Sequence, residues 1–161
     1  MQVLYQIDLR GEADIPAIAA GLRDGPDKLV VQENALALAT AAWANHPKAD
    51  VLIVELAPAW PTHRQPPVDR AILRLAYHEM ISGHAPVKVV INEAVELSKD
   101  YCSEHSPAFV NGVLDKMAKR LAGQIPPPQP YGGDAWLQDA VTKPAETAET
   151  EAKKPQEPQR E

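Results

Sequence analysis

The chain has 161 residues, of which 45% are hydrophobic and only 5% aromatic, and its formal net charge is −6. This is enough apolar material for one domain of ordinary size, and the acidic balance, which residues 1–123 and 124–161 share equally, excludes a strongly basic nucleic-acid-binding block. The single cysteine, Cys102, excludes an internal disulfide and a multi-cysteine metal site.

No apolar run in the sequence approaches the ~20 residues that a membrane-spanning helix requires. The first residues, Met-Gln-Val-Leu-Tyr, lack the basic stretch that opens a signal peptide, and Gln6 and Asp8 interrupt the apolar positions around them. We therefore expect a protein of the cytoplasm that has no membrane partner.

The first 57 residues have the apolar spacing of helices. A first helix covers residues 1–9 and ends at Gly11, and a second covers residues 14–25. Ala and Leu dominate the composition, aromatic residues are few, and no alternation of strands and helices is present. We therefore expect an all-α fold.

Pro47 divides the next segment in this prediction. A third helix begins after Asp27 and ends near His46, because the residue before a proline avoids helical geometry. Residues 47–57 then predict a fourth helix; their Val-Leu-Ile-Val run is also compatible with a short strand, but the chain offers no strand to pair with it. The buried positions predicted for the third helix are Leu29, Val30, Leu36, Ala37, Thr40 and Trp43.

A connector of residues 58–67 leads to a helix predicted over residues 68–82. Arg70, Arg74 and His78 recur at intervals of four and form a ridge on one side of this helix. Such a ridge is most often a solvated face, Arg74 can instead pair with an internal carboxylate, and the third interpretation is a contact surface for RNA or protein. The spacing alone leaves these alternatives open.

Residues 86–121 predict two helices separated by residues 103–105. Ser106 is a favourable N-cap for the second helix, and Pro107 suits its first position, where the N–H that proline lacks has no partner. Gly112 lies beside the apolar stripe of the second helix. Because glycine disfavours a helix interior by ~1 kcal/mol relative to alanine, Gly112 indicates close approach of another backbone or of a ligand.

Residues 124–161 differ in composition from the rest of the chain. From Thr142 onward they are rich in Glu, Pro, Lys and Thr and low in apolar residues, which cannot offset the entropy cost of ordering. We therefore expect a helical domain over residues 1–123, with N-terminal helices in 1–57 and C-terminal helices in 66–122. The Pro/Glu-rich C-terminal tail, residues 124–161, is expected to be disordered.

No set of side chains indicates catalysis or metal binding. His78 and His84 are six residues apart, which puts them on different helix faces and argues against a zinc site. Cys102 and His105 are close in sequence but lack a third partner, and Cys102 lies on the apolar side of its helix, as a core residue would. No phosphate-binding glycine loop is present, so we expect neither an enzyme nor a cofactor.

Three segments resemble the NusB family of bacterial transcription antitermination factors, in the order in which that family has them. They are VDRAILRLAYHEM (68–80), VINEAVELSKDY (90–101) and PAFVNGVLDKMAK (107–119). The resemblance is strong over residues 66–121, weak over residues 1–60 and absent after Gly123. It implies a NusB-like fold of two packed helical bundles.

The resemblance also implies a function and a set of partners. NusB proteins bind NusE, a ribosomal protein, and with it the boxA element of single-stranded RNA. The pair joins the antitermination complex on RNA polymerase, mainly on ribosomal RNA operons. Tyr5 and Asp69 match the positions at which the family contacts NusE, and we include the adjacent Arg70 in this partner-binding set.

The RNA surface of the family combines a basic N-terminal segment with a turn that His105, Ser106 and Phe109 match here. Phe109 can be an edge-of-core residue, but an aromatic residue near a helix start can also stack on an unpaired base, beside backbone N–H groups that bind phosphate. The cations that we expect to support RNA binding are Arg74, Lys88 and Lys116.

The first residues differ from the family pattern. Family members carry an arginine-rich run before the segment that Val3-Leu4-Tyr5 matches, and here Met1 stands close before it. We expect a start codon assigned too late; the alternative is a real loss of RNA contact. The expected function is antitermination without catalysis, and the alternative is a helical interaction domain that keeps the NusE contact and does not bind RNA. The NusB-like domain of RNA methyltransferases is disfavoured, because nothing after Gly123 resembles a cofactor-binding domain.

Overall fold

The computed structural model describes residues 1–123. These residues form six α-helices and two short 3-10 helices, at Glu12–Asp14 and Thr62–Arg64, with no strand among them. The predicted all-α fold is confirmed, and the predicted disordered tail lies outside the described residues. The α-helices are α1 (Gln2–Arg10), α2 (Ile15–Arg23), α3 (Leu29–Leu56), α4 (Pro67–Ser82), α5 (Val87–Tyr101) and α6 (Ser106–Leu121).

The first hydrophobic core joins α1, α2 and the first half of α3. Leu4, Ile7 and Ile18 are fully buried in it, together with the small residues Ala39 and Ala42 of α3. Complete burial of a Leu or Ile side chain contributes about 1.5–3 kcal/mol. This packing stabilises α1 and α2, which at nine residues each are too short to be stable alone.

The second hydrophobic core joins the second half of α3 to α4, α5 and α6. Ile53, Ile72 and Leu114 are fully buried there, one from each of α3, α4 and α6. Ala71 and Leu75 of α4 belong to the first core instead. Because α3 and α4 contribute to both cores, they connect the two halves of the described chain.

The prediction that Pro47 separates two helices is wrong, because α3 is one continuous helix of 28 residues with Pro47 inside it. Pro47 has no N–H to donate to the carbonyl of Trp43, four residues earlier. His46 Nδ1 lies 2.6 Å from that carbonyl oxygen and donates to it instead, and the His46 ring stacks on the ring of Trp43. This substitute hydrogen bond, with burial of Ala49 and Ile53 beyond the proline, keeps the helix continuous.

The buried face of α3 also differs from the prediction. Leu29 and Val30 are more than half exposed, and Ala37 and Thr40 are exposed as well. Three of the six residues buried on α3 are alanines, whose small side chains give a weak signal for the buried face in the sequence. The residues buried on α3 are Gln32, Ala39, Ala42, Ala49, Ile53 and Leu56.

Candidate functional site

A buried hydrogen bond joins the beginning of α6 to the beginning of α4. Ser106 Oγ donates to Asp69 Oδ2 at 2.9 Å, and it lies 2.8 Å from the hydroxyl oxygen of Ser103. The prediction that Ser106 is the N-cap is wrong: His105 occupies the cap position, and Ser106 is the first helical residue. A residue predicted to bind RNA and a residue predicted to bind the partner are therefore in direct contact.

A cavity of about 350 Å³ lies beside this hydrogen bond. Trp60 and Phe109 supply its aromatic lining and Asp69 contributes a carboxylate. Asp69 is only 3% exposed, and within residues 1–123 its Oδ1 atom has no hydrogen-bond partner. A buried acceptor without a partner costs about 1–3 kcal/mol, and a ligand N–H would relieve that cost. The other lining residues are Pro66, Ser103, His105 and Ser106.

Cys102 lies near the same carboxylate, with its side chain packed against the second core. Burial raises the pKa of the Cys102 thiol to about 12, and the neighbouring Asp69 carboxylate acts in the same direction. The thiol therefore stays protonated at neutral pH, where it is a poor nucleophile. This environment agrees with the prediction that Cys102 is a small core residue.

A second cavity, of about 410 Å³, adjoins the first, because Trp60 and Phe109 line both. Its remaining walls come from residues 56–59, at the end of α3 and in the connector, and from α6. We call the two cavities together the aromatic groove. It has Asp69 in the first cavity, Lys116 in the second, and the 45% exposed Trp60 shared between them.

Gly112 lines the second cavity, and no packed side chain or backbone lies within 4 Å of the position that its Cβ would occupy. The sequence offered two explanations for a glycine inside this helix. Close approach of another backbone finds no support within residues 1–123, whereas open space for a ligand is present. Lys116, one turn later, is exposed, with its Nζ 3.5 Å from the carbonyl oxygen of Leu56.

Arg74, at the centre of the predicted ridge, is buried and only 5% exposed. Its Nε and Nη2 donate to the Asp50 carboxylate at 2.8 and 2.6 Å, and its Nη1 donates to Asp8 Oδ1 at 2.6 Å. The guanidinium also lies 5.5 Å from the ring centroid of Trp43. Of the three interpretations of the ridge, pairing with internal carboxylates is the one that applies to Arg74. Its guanidinium is buried and is not available on the surface for contact with RNA.

The network around Arg74 favours the charged forms of Asp8 and Arg74. Burial alone would raise the pKa of Asp8, but hydrogen bonds and charges from Arg70 and Arg74 outweigh burial and lower that pKa. Burial alone would lower the pKa of Arg74, and Asp50 and Asp8 raise it instead. Asp8 and Asp50 were not among the residues predicted from the sequence; the one available signal was that Asp8 interrupts the apolar positions of α1.

Arg70 joins this network to the connector that carries Trp60. Its Nε donates to Asp8 Oδ2 at 2.9 Å and its Nη1 to the carbonyl oxygen of Thr62 at 3.0 Å. Gln65 Nε2 donates in turn to the carbonyl oxygen of Trp60 at 2.8 Å. These hydrogen bonds position the connector, and with it Trp60, relative to α1 and α4.

The remaining predicted site residues lie apart from the aromatic groove. Tyr5 is half-buried on α1 and packs against the first core. Lys88 is exposed in the first turn of α5 and lines neither cavity. Within residues 1–123, no group of three His, Cys, Asp or Glu residues is placed to hold a metal ion. None of the helices in that range is both long enough and apolar enough to cross a membrane.

Comparisons with known proteins extend the resemblance to the first half of the described residues. The model of the NusB family matches residues 1–119. The transcription antitermination protein NusB of Saccharopolyspora erythraea is 43% identical over 120 residues, which cover 73% of this chain and 80% of that protein. The protein of the same name from Herpetosiphon aurantiacus is 38% identical over 127 residues, covering 74% of this chain and 85% of that protein.

Two solved structures share the fold. T. maritima NusB matches with a TM-score of 0.62 and 33% identity, over 73% of this chain and 84% of that chain. A chain in the crystal structure of a plectonemic RNA supercoil matches with a TM-score of 0.62 and 29% identity, over 76% of this chain and 91% of that chain. The NusB-like fold predicted from three sequence segments is confirmed.

Proposed function

The chain belongs to the NusB family of transcription antitermination proteins, and on that premise we propose that it binds boxA-type single-stranded RNA together with the ribosomal protein NusE. The pair joins the antitermination complex on RNA polymerase, chiefly during ribosomal RNA transcription. In this proposal the chain is a cytoplasmic adaptor that brings an RNA and a protein together, without catalysis and without a cofactor.

The aromatic groove is the observation that carries RNA binding in this proposal. Trp60 and Phe109 line it, and stacking of an unpaired base on an aromatic side chain is worth roughly 1–3 kcal/mol. The groove lies beside the first turns of α6, where the N–H groups of Ser106 and Phe109 already donate to the carbonyl oxygens of Ser103 and His105 and Pro107 has no N–H. The phosphate contact in this proposal is therefore left to Lys116, which lines the second cavity. Single-stranded RNA is the proposed ligand, because the bases of a duplex are not available for such stacking.

The predicted RNA-binding residues divide by their position relative to the groove. We assign direct RNA contact to His105, Phe109 and Lys116, which line it. Ser106 is assigned an indirect role, since its hydroxyl is bonded to Asp69 and orients that carboxylate.

Few cations remain for phosphate contact under this assignment. Arg74 is left out because carboxylates already engage its guanidinium, and Lys88 becomes an outlying contact on α5. Each phosphate contact adds about 0.7 to the salt slope of single-strand binding. With Lys88 and Lys116 as the remaining predicted lysines, we expect weak binding by the chain alone, with a slope of about 1–2, and tighter binding with NusE.

We place the NusE contact at the edge where α1 meets α4. Tyr5 of α1 and Arg70 of α4 lie on these two helices, and Asp8 pairs with Arg70 between them. Asp69 is buried and bonded to Ser106, so in this proposal it supports the NusE contact only indirectly, by fixing the start of α4 against α6, and not as a freely exposed charge.

A helical interaction domain that binds NusE without RNA is the second candidate function. Two observations favour it: the internal pairing of Arg74, which removes a cation from the surface, and the excess of acidic over basic residues within 1–123. Both weaken the attraction that a phosphate backbone would experience.

Fluorescence anisotropy with a labelled boxA-type RNA, with and without NusE, separates the two candidates. We expect a complex whose affinity rises when NusE is added, and Phe109→Ala should weaken it about 5- to 150-fold by removing one stacked base. Tyr101→Ala is the matched control, because Tyr101 is an exposed aromatic residue outside the groove. NusE binding by calorimetry without any RNA binding would favour the second candidate.

A further inference from the structure

We propose that the aromatic groove binds two consecutive unpaired nucleotides and selects, at the first cavity, a base that carries an amino group. One base lies against Trp60 and Phe109 with its amino edge toward Asp69. The next nucleotide lies along Gly112 with its phosphate near Lys116. This inference rests on the proposed function, and it adds Trp60 and Gly112 as ligand-binding residues and Asp69 as a specificity-determining residue.

The unpaired oxygen of Asp69 determines which base fits the first cavity. Asp69 Oδ2 already accepts from Ser106, whereas no N–H or O–H group within residues 1–123 donates to Oδ1. The Cys102 thiol beside this carboxylate is a weak donor, so Oδ1 can still accept a stronger hydrogen bond from an N–H or O–H group of a ligand. Adenine, cytosine and guanine each carry an amino group. Uracil has no amino group, and the carbonyl oxygens that flank its single N–H would face the carboxylate. The cavity therefore disfavours uracil.

The second cavity extends the site to another nucleotide. Gly112 leaves its surface open, with nothing packed within 4 Å of its Cβ position, although alanine would favour the helix more. Lys116, which lines the same cavity, places a cation where the phosphate between two nucleotides can lie. Along the groove, a hydrogen-bond acceptor is followed by two aromatic rings and then by a cation. This is the order in which a nucleotide presents the amino edge of its base, the face of the base and the phosphate.

A basic side chain from a protein partner is the rival occupant. An arginine or lysine would pair with Asp69 and pack against the aromatic rings. It would leave the second cavity empty, however, and it would place a second cation in the groove that already holds Lys116. The nucleotide pair accounts for both cavities and for both charges.

The first test measures base preference by anisotropy in the presence of NusE. The probes are nine-residue oligouridine and the same RNA with its central uridine replaced by A, C or G. The wild type should bind the substituted RNAs about three- to tenfold more tightly than oligouridine. Asp69→Asn keeps an acceptor for Ser106 and presents a donor in place of Oδ1, so the preference should shift toward uridine. An unchanged preference in a folded Asp69→Asn chain would overturn the assignment of Asp69.

The second test compares two glycine substitutions. Gly112→Leu fills the open side of α6, while Gly21→Leu makes the same change on α2, where Gly21 is exposed and also has nothing within 4 Å. Both should raise the melting temperature, because leucine favours helix over glycine. Of the two glycine variants, only Gly112→Leu should weaken RNA binding, by about 5- to 150-fold for one lost stacked base. Trp60→Ala should weaken RNA binding by a similar factor, because it removes one of the stacking rings.

The outcomes are distinguishable from failure of the proposed function. If the wild type binds RNA with NusE and Gly112→Leu and Trp60→Ala bind it equally well, the groove is not the nucleotide site and the proposed function stands. Should these variants lose NusE affinity in calorimetry while they keep RNA affinity, the groove holds a basic side chain of the partner. Absence of RNA binding by the wild-type complex would remove the proposed function itself.

Discussion

Arg74 Nη1 donates to Asp8 Oδ1 at 2.6 Å, and the two side chains are only 6% and 8% exposed. This pair joins α1 to α4 inside the protein. When one member of a buried ion pair is removed, the other charge stays buried with less compensation, and the fold is strongly destabilised. An exposed ion pair contributes little to stability, because water screens the attraction between its charges. The difference between the two situations can be measured within this chain.

Asp8→Asn should lower the free energy of unfolding by about 3 kcal/mol, since Arg70 loses its carboxylate partner and the buried Arg74 keeps only Asp50. The matched control is Asp14→Asn, which breaks an exposed pair with Arg10 and should cost less than about 0.5 kcal/mol. Urea denaturation followed by circular dichroism gives both values. Equal, small losses in the two variants would show that the internal network does not stabilise the fold.

Acid should weaken the fold through the same carboxylate. Because folding lowers the pKa of Asp8, its contribution is complete above the unfolded pKa of about 3.9 and is lost as the pH falls through the lowered folded value. Burial raises the pKa of Glu79, so protonation of Glu79 acts in the opposite direction.

In a Glu79→Gln background, the free energy of unfolding should therefore fall as the pH is lowered below about 4. Asp8→Asn in that background should lower the free energy of unfolding at pH 7 and flatten its decline in acid. Urea denaturation at a series of pH values from neutral to acid measures both profiles. Parallel profiles with and without Asp8 would show that Asp8 is not the titrating group.

The continuity of α3 at Pro47 depends on His46 in this account. His46→Ala should cost about 1–3 kcal/mol, because it leaves the carbonyl oxygen of Trp43 without a donor. In a Pro47→Ala background the new backbone N–H can bond to Trp43, so the same substitution should cost clearly less. A double-mutant cycle by urea denaturation measures the difference. Additive losses would mean that His46 does not replace the missing hydrogen bond.

Cys102 should react slowly with iodoacetamide in the folded protein. Alkylation needs the thiolate, and burial with a neighbouring carboxylate raises the pKa of Cys102 to about 12, against about 8.5 for a free cysteine. At pH 8, we expect modification to be more than tenfold faster in urea than in native buffer. Equal rates in the two solutions would show that the thiol is neither shielded nor perturbed.

The C-terminal half of the described chain was predictable because its helices carry large apolar residues at regular spacing. The stripe with Val110, Leu114 and Met117 is buried as expected. The first half resisted prediction, because α3 packs through alanines and continues through a proline with the help of a neighbouring side chain. A local rule on residues before proline cannot include that compensation.

The candidate site was predictable only in part. His105 and Phe109 were identified from a matching turn, and they do line one cavity. The charge partners of Arg74 and the position of Trp60 depend on contacts between residues far apart in sequence, such as Asp8 with Arg70. Spacing along one helix shows which side chains share a face but not which face becomes buried.

The central claim is that RNA binds in the aromatic groove. An NMR titration tests it most directly: the isotope-labelled chain is titrated with short single-stranded RNA in the presence of unlabelled NusE. The indole N–H resonance of Trp60 and the amide resonances of His105, Phe109 and Gly112 should shift on RNA addition. The indole resonance of Trp43, which lies outside the groove, should stay unchanged and serves as the internal reference. Shifts confined to α1–α3, or no shifts at saturating RNA, would contradict the account.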